Sequence, residues 1–261
     1  MGELEEWTCE YSGLVIGSPD SALSLAQVDG LLSLPDVRSS DLVLIQREGR
    51  WPGDDILDGR PVTLTIEVYG RTPEEFSTAW AALTAAFRVG RPELPFRFRF
   101  PGIAAGESAF IKARPRKRGG SIDLSFAYGV STVPFELYAT DPKIYAESSR
   151  KVRVSTRTGS PVFTQRGSVP ARPIVEITDA TNPVLTDELT GQTFGIAYTG
   201  SVTVDGVAQI VRSSAGEDIT GLVTPGSVWP EYEAGNHRLK LVSENSDVEA
   251  TAVATWREAW E

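Results

Sequence analysis

The sequence predicts a mainly β protein in two parts: an N-terminal β-barrel or split-barrel-like domain with one α-helix and a β-hairpin, then a C-terminal β-sandwich. Three observations carry this. One well-capped helical segment interrupts a first half that is otherwise patterned with period two. From Ile174 onward the apolar runs are short, turn-bounded and without helical period. Glycine and proline number 24 and 17 among 261 residues, spread as the punctuation that many short strands require.

Residues 4–11 alternate loosely, with Trp7, Cys9 and Tyr11 on one side, and read as a first strand. Residues 14–17 follow and turn at Ser18-Pro19-Asp20. Glycine-punctuated stretches around Gly30 and from Gln46 to Gly53 lead to a long strand over 62–69. The helix then opens Thr72-Pro73-Glu74-Glu75, which supplies an N-cap hydroxyl, a proline at the first helical position and a glutamate to close a capping box. Phe76, Trp80, Leu83 and Phe87 fall on one face and dock this helix, which spans about 73–88.

Behind the helix, period two over 96–100 sends the phenylalanines one way and Arg97 and Arg99 the other. The runs 109–113 and 122–128 flank a basic stretch as a hairpin whose tip is 114–120. A strand over 133–139 ends at Asp141-Pro142, and 151–154 is another. Gly167, Pro170 and Pro173 mark the passage between domains, giving domains of 1–160 and 161–261. In the second, Asp205-Gly206 between two apolar runs signals a hairpin.

With 41% hydrophobic residues the chain can bury a proper core. A lone cysteine excludes an internal disulfide, and Cys9 reads as a small buried hydrophobe. The acidic start, Met1-Gly2-Glu3, lacks the apolar core of a signal peptide. No apolar run approaches the roughly 20 residues that span a bilayer. The expectation is a soluble protein of a reducing compartment.

Net charge is −10, unevenly placed. Between Arg88 and Arg118 nine basic residues face two acidic ones, a net +7 on a remainder of −17. Such a strip on an acidic chain suits contacts with copies of itself or with another protein. Overall acidity speaks against nucleic acid, and the stretch lacks interleaved aromatics for base stacking.

Residues that could carry chemistry are few. His237 is the sole histidine, placed between a turn and a strand without a nucleophile motif, and reads as an exposed turn-end residue. One cysteine and one histidine cannot close a tetrahedral zinc site. Asp54-Asp55 and Asp187-Glu188 read as solvated loop acids. No metal or other cofactor is expected, and an enzyme is the weakest reading. The basic residues Arg97, Arg99, Arg114, Arg116, Lys117 and Arg118 are candidates for subunit contacts, against a merely solvated hairpin tip. Trp229, Tyr232 and Trp256, with Trp260, are either core anchors or a sugar-stacking platform, as a carbohydrate-binding adhesion module would need.

The order of features resembles the distal tail protein family of bacteriophages with long non-contractile tails. The resemblance runs through Leu14-Val15-Ile16-Gly17, Val28-Asp29-Gly30-Leu31, Pro35-Asp36-Val37-Arg38, the strand from Arg60, the single helix, and the run from Phe135 to Pro142. It continues through the run from Gly167 to Ile177, Trp229-Pro230 and Ala234-Gly235-Asn236-His237. The resemblance implies a homo-hexameric ring built by the first domain and a galectin-like or carbohydrate-module-like sandwich as the second. It implies a place at the virion tail tip after assembly in the host cytoplasm. The partners it implies are the tail tube protein, the tape measure protein, the tail-tip hub and receptor-binding proteins, with a host-surface glycan as a further ligand. Neither a membrane nor sequence-specific nucleic acid is an expected partner. A tail tube subunit is a neighbouring reading, opposed by the second domain.

Overall fold

The protein, described here as a computed structural model, is defined over residues 4–261. It divides into two compact units, one ending at Glu147 and the other spanning Ser148–Trp260, with Glu261 grouped with the first.

The first unit contains β1 (Thr8–Tyr11), β2 (Leu14–Ile16), β3 (Leu23–Asp29), β4 (Val37–Ser39), β5 (Leu42–Val43), β6 (Arg50–Trp51), β7 (Asp55–Leu57) and β8 (Arg60–Tyr69). After these come α1 (Pro73–Ala86), β9 (Leu94–Arg99), β10 (Ala109–Arg118), α2 (Leu124–Ala127), β11 (Val130–Ala139) and β12 (Ile144–Ala146). Its main sheet runs β2-β1-β9-β10-β11-β8-β3. The strands at the two ends of this path are consecutive in the chain, and Gly17 N–H donates to the Leu23 carbonyl across the turn between them (2.9 Å). The sheet therefore curls toward a barrel.

β8 alternates as a strand with one covered face should, with Val62, Leu64, Ile66 and Val68 inward. Each such side chain contributes roughly 1.5–3 kcal/mol by leaving water. Thr72 caps α1 by accepting from Glu75 N–H (3.2 Å). The Glu75 carboxylate reaches back to the Arg71 N–H (2.9 Å), one residue before the cap.

Two expectations need correction in this unit. The basic stretch is not a hairpin tip: β10 runs through it to Arg118 and pairs with β11, with a bulge between Pro115 and Lys117. Residues 122–128 are not a returning strand either. Asp123 accepts from Phe126 N–H (3.1 Å) and caps α2, a second short helix that the chain pattern does not announce.

Between β3 and β8 the chain leaves the sheet as an arm. β4 pairs with β7 and β5 with β6, giving a two-stranded ribbon whose register sets Leu42 opposite Trp51 and Val43 opposite Arg50.

The second unit holds β13 (Arg150–Ser155), β14 (Val162–Gln165), β15 (Ile174–Thr181), β16 (Val184–Asp187), β17 (Thr193–Gly195), β18 (Thr199–Asp205), β19 (Ile210–Ser213), β20 (Gly235–Val242) and β21 (Thr251–Trp256). One sheet is β13-β21-β15-β18-β19 and the other β14-β20-β16-β17, all antiparallel. Val175, Ile177, Val204, Leu239, Leu241 and Trp256 belong to the core they enclose. This is a β-sandwich. The hairpin at Asp205-Gly206 is present, and the Asp205 carboxylate accepts from the N–H groups of Val207 and Ala208 (both 2.9 Å).

The division between units falls at 147/148, ahead of the expected 160/161. The reason is β13, whose six residues all pair with β21. An ion pair of Arg150 with the fully buried Glu258 (3.2 Å) adds to this, as does Arg166 on the same carboxylate (2.9 Å). Prolines and glycines between 161 and 173 punctuate the interior of the second unit instead.

Candidate assembly surface and the buried polar centre of the sandwich

Phe76, Leu83 and Phe87 are buried and Trp80 is half-buried. Phe87 packs on Tyr11 and Phe135, with ring centroids 5.0 and 4.5 Å apart. Phe76 and Trp80 meet Phe126 of α2 edge-on at 5.0 and 5.7 Å. The face read from the helical period is thus the face that meets the sheet and α2.

The six basic candidates separate into two groups. Arg97 is buried, because the face that alternation assigned to arginine is itself covered. Its guanidinium bridges Glu10, directly across the ladder on β1, and Glu147. Arg99 is half-buried and donates to the Leu4 carbonyl (3.2 Å). Arg114 is half-buried as well. Arg116, Lys117 and Arg118 are exposed, with Arg116 lying 5.2 Å over the Tyr138 ring. Only this last trio forms an open basic surface.

Further along the chain lie exposed apolar side chains that no pattern marks out. Ile122 is 85% exposed, Tyr128 76%, and Leu124 is exposed beside them. The arm carries a second such set: Leu42, Val43, Trp51 and Ile56 are exposed, and Ile45 is 96% exposed. In the sequence the sign of the arm is the glycine-punctuated stretch from Gln46 to Gly53.

The chain pattern marks Arg60 only as the start of a strand. It is 1% exposed. Its Nε donates to the Pro142 carbonyl (2.7 Å), and its Nη1 faces the carbonyls of Gly30 (2.7 Å), Leu31 (3.1 Å) and Ser33 (2.7 Å). Those carbonyls form the root of the arm. Gly30 has φ +92°, and a Cβ there would stand 2.1 Å from the Pro61 carbonyl, so no other residue fits without displacement.

In the sandwich, Tyr232 and Trp256 are buried and Trp229 is half-buried against Phe194 (5.0 Å). Phe163 centres a cluster with Tyr232, Trp256 and His237 at 4.9–5.3 Å. Tyr232 and Trp256 therefore anchor the core and present no open ring to a sugar.

His237 is not at an exposed turn end, and Asp187 is not a solvated loop acid. They are 2% and 5% exposed, with Nδ1 2.6 Å from Asp187 Oδ2. Nε2 lies 2.7 Å from the Glu233 carbonyl. A relay would need that nitrogen to face a nucleophile, and here it faces an acceptor. Burial alone would raise the Asp187 carboxyl. Hydrogen bonds from His237, from the Arg238 and Leu189 N–H groups and from Thr190 outweigh it and hold the carboxyl below its usual range. Cys9 is fully buried, which pushes its thiol up to about 12.

Among the described residues no three His, Cys, Asp or Glu side chains gather as metal ligands, and no helix is long and apolar enough to cross a membrane.

No family model matches the chain, and no curated protein matches it. Solved structures do. The Dit protein of phage SPP1, described as a paradigm of the hub adsorption apparatus in phages that infect Gram-positive hosts, aligns with a TM-score of 0.66 at 17% identity. The alignment covers 96% of this chain and 98% of that one. Chains of the phage P2 baseplate in its activated conformation, with Ca and with Sr, align at TM-score 0.43 and 7% identity. They are covered over 93% and 96% of their length, against 93% and 95% of this chain. From the first described strand to the sandwich, this chain shares the fold of the SPP1 Dit protein.

Proposed function

We propose that this chain is a structural, non-enzymatic protein of a phage tail tip, a distal tail adaptor that forms a six-fold ring between the tail tube and the host-adhesion complex. The observation that carries the reading is the shared fold with SPP1 Dit over 96% of the chain, both units included. A tube subunit of one barrel domain would leave the sandwich unaccounted for. The charge distribution supports the same reading, since a ring presents one face of each copy to a different face of the next. In this role the tube and tape measure proteins lie on one side, and the hub and receptor-binding proteins on the other.

Negative-stain microscopy and native mass spectrometry of the purified protein test it. Six-fold rings or a hexamer mass are expected. A species that stays monomeric across salt and concentration, with and without the tube protein, would sink the reading.

A further inference from the structure

The arm and the surface around α2 are complementary in two respects at once. Both present apolar side chains to water that the chain itself does not cover: Ile45 and Trp51 on the arm, Ile122, Leu124 and Tyr128 around α2. They also carry opposite charge. Residues 36–58 hold six acidic and three basic side chains, and residues 114–130 hold four basic and one acidic. The two patches are thus −3 and +3.

The apolar parts of the two surfaces stand apart. The arm leaves the sheet at the Arg60 end of β8 and α2 with Val130 lies at the Tyr69 end, while β10 brings Arg114 to Arg118 level with 61–64, between the two. Ten residues of strand separate those ends by roughly 30 Å. An isolated two-stranded ribbon is marginal in water, and this one keeps its largest apolar residues exposed. Its length is of the order of the 20–30 residues that a standard interface uses per side.

We propose that the arm of one copy lies along the α2 surface of a second copy. Leu42, Ile45 and Trp51 pack on Ile122, Leu124 and Tyr128, and the acidic Asp54 and Asp55 approach Arg116, Lys117 and Arg118. The contact is heterologous, since different surfaces of the two copies meet, and repetition of it closes a ring or grows a filament. It rests on the ring reading and names the surfaces through which that ring would form.

Two variants test the contact. Ile45→Asp with Trp51→Asp disables the arm, and Leu124→Asp with Tyr128→Asp disables the receiving surface. All four positions are exposed, so circular dichroism and melting should match the unmodified protein. Each variant alone should raise the concentration for half-assembly about 30-fold or more, as loss of an interface hot spot does.

Mixed in equal amounts, the two variants should give dimers and nothing larger, because each mixed pair retains one intact arm against one intact surface. If the receiving-surface variant assembles as the unmodified protein does, the arm contacts something else and the proposal is overturned. If the unmodified protein forms rings and both variants do too, the contact fails while the ring reading stands. If the unmodified protein never assembles, both fall.

Discussion

Asp187 Oδ2 stands 2.6 Å from Nδ1 of His237 inside the sandwich, and Nε2 of the same ring faces the Glu233 carbonyl at 2.7 Å. Both ring nitrogens have an oxygen within hydrogen-bond distance. The carboxylate completes the arrangement, accepting also from the N–H groups of Arg238 and Leu189 (both 3.1 Å). The polar pair is as much a part of this core as the aromatic rings around it.

The Asp187 carboxyl is held below its usual range, so its contribution is present above the unfolded carboxylate pKa and is lost as pH falls through the lower, folded value. Urea unfolding followed by tryptophan fluorescence should show the sandwich weakening in acid. Asp187→Asn should remove part of that acid sensitivity and cost about 1–3 kcal/mol at neutral pH, because the buried donors lose their carboxylate acceptor. An unchanged urea midpoint at pH 7 would contradict this.

Arg97 bridges two carboxylates from within the first unit. Arg97→Ala should destabilise that unit by about 3–5 kcal/mol, by removing the cation between Glu10 and Glu147. Arg97→Lys should rescue only partly, since a point ammonium cannot reproduce the two-pronged guanidinium. Thermal melts of the two variants compare these directly. Equal stability of the lysine variant and the unmodified protein would refute the bridging role.

Along α1 the costs should follow burial. Leu83→Ala removes a fully buried side chain and should cost about 2–5 kcal/mol. Thr72→Ala deletes the cap and should cost about 1 kcal/mol. Denaturant midpoints in one series give the ranking, and a cap variant more damaging than the leucine variant would upset it.

The Cys9 thiol, buried and pushed up to about 12, should be inert toward a thiol reagent in the native protein at pH 8. One equivalent should react after unfolding in guanidinium. Rapid reaction of the native form would mean that β1 opens readily.

Much of this architecture was legible because its signals are local. The cap at Thr72, the spacing of Phe76 to Phe87 and the turn at Asp205-Gly206 each act within a few residues. What stayed hidden depends on residues far apart in the chain. Asp187 and His237 are 50 positions apart, and alternation over 96–100 cannot reveal that Glu10 and Glu147 cover the arginine side of the strand. The basic stretch was misplaced for a different reason. Its Pro115 and the glycines after Arg118 look like a turn, whereas the ladder absorbs the proline at a bulge and turns only beyond 118. Register and burial, more than composition, separated the exposed trio from Arg97.

Arg60 gives the arm a property that its own short ladders could not. Its guanidinium keeps its charge at any physiological pH, and it ties the carbonyls of Gly30, Leu31 and Ser33 to the start of β8. The direction in which the arm departs is therefore set during folding, before any second molecule is met. Were the arm to dock on a second copy as proposed, it would arrive already aimed, with little orientational freedom left to surrender on contact.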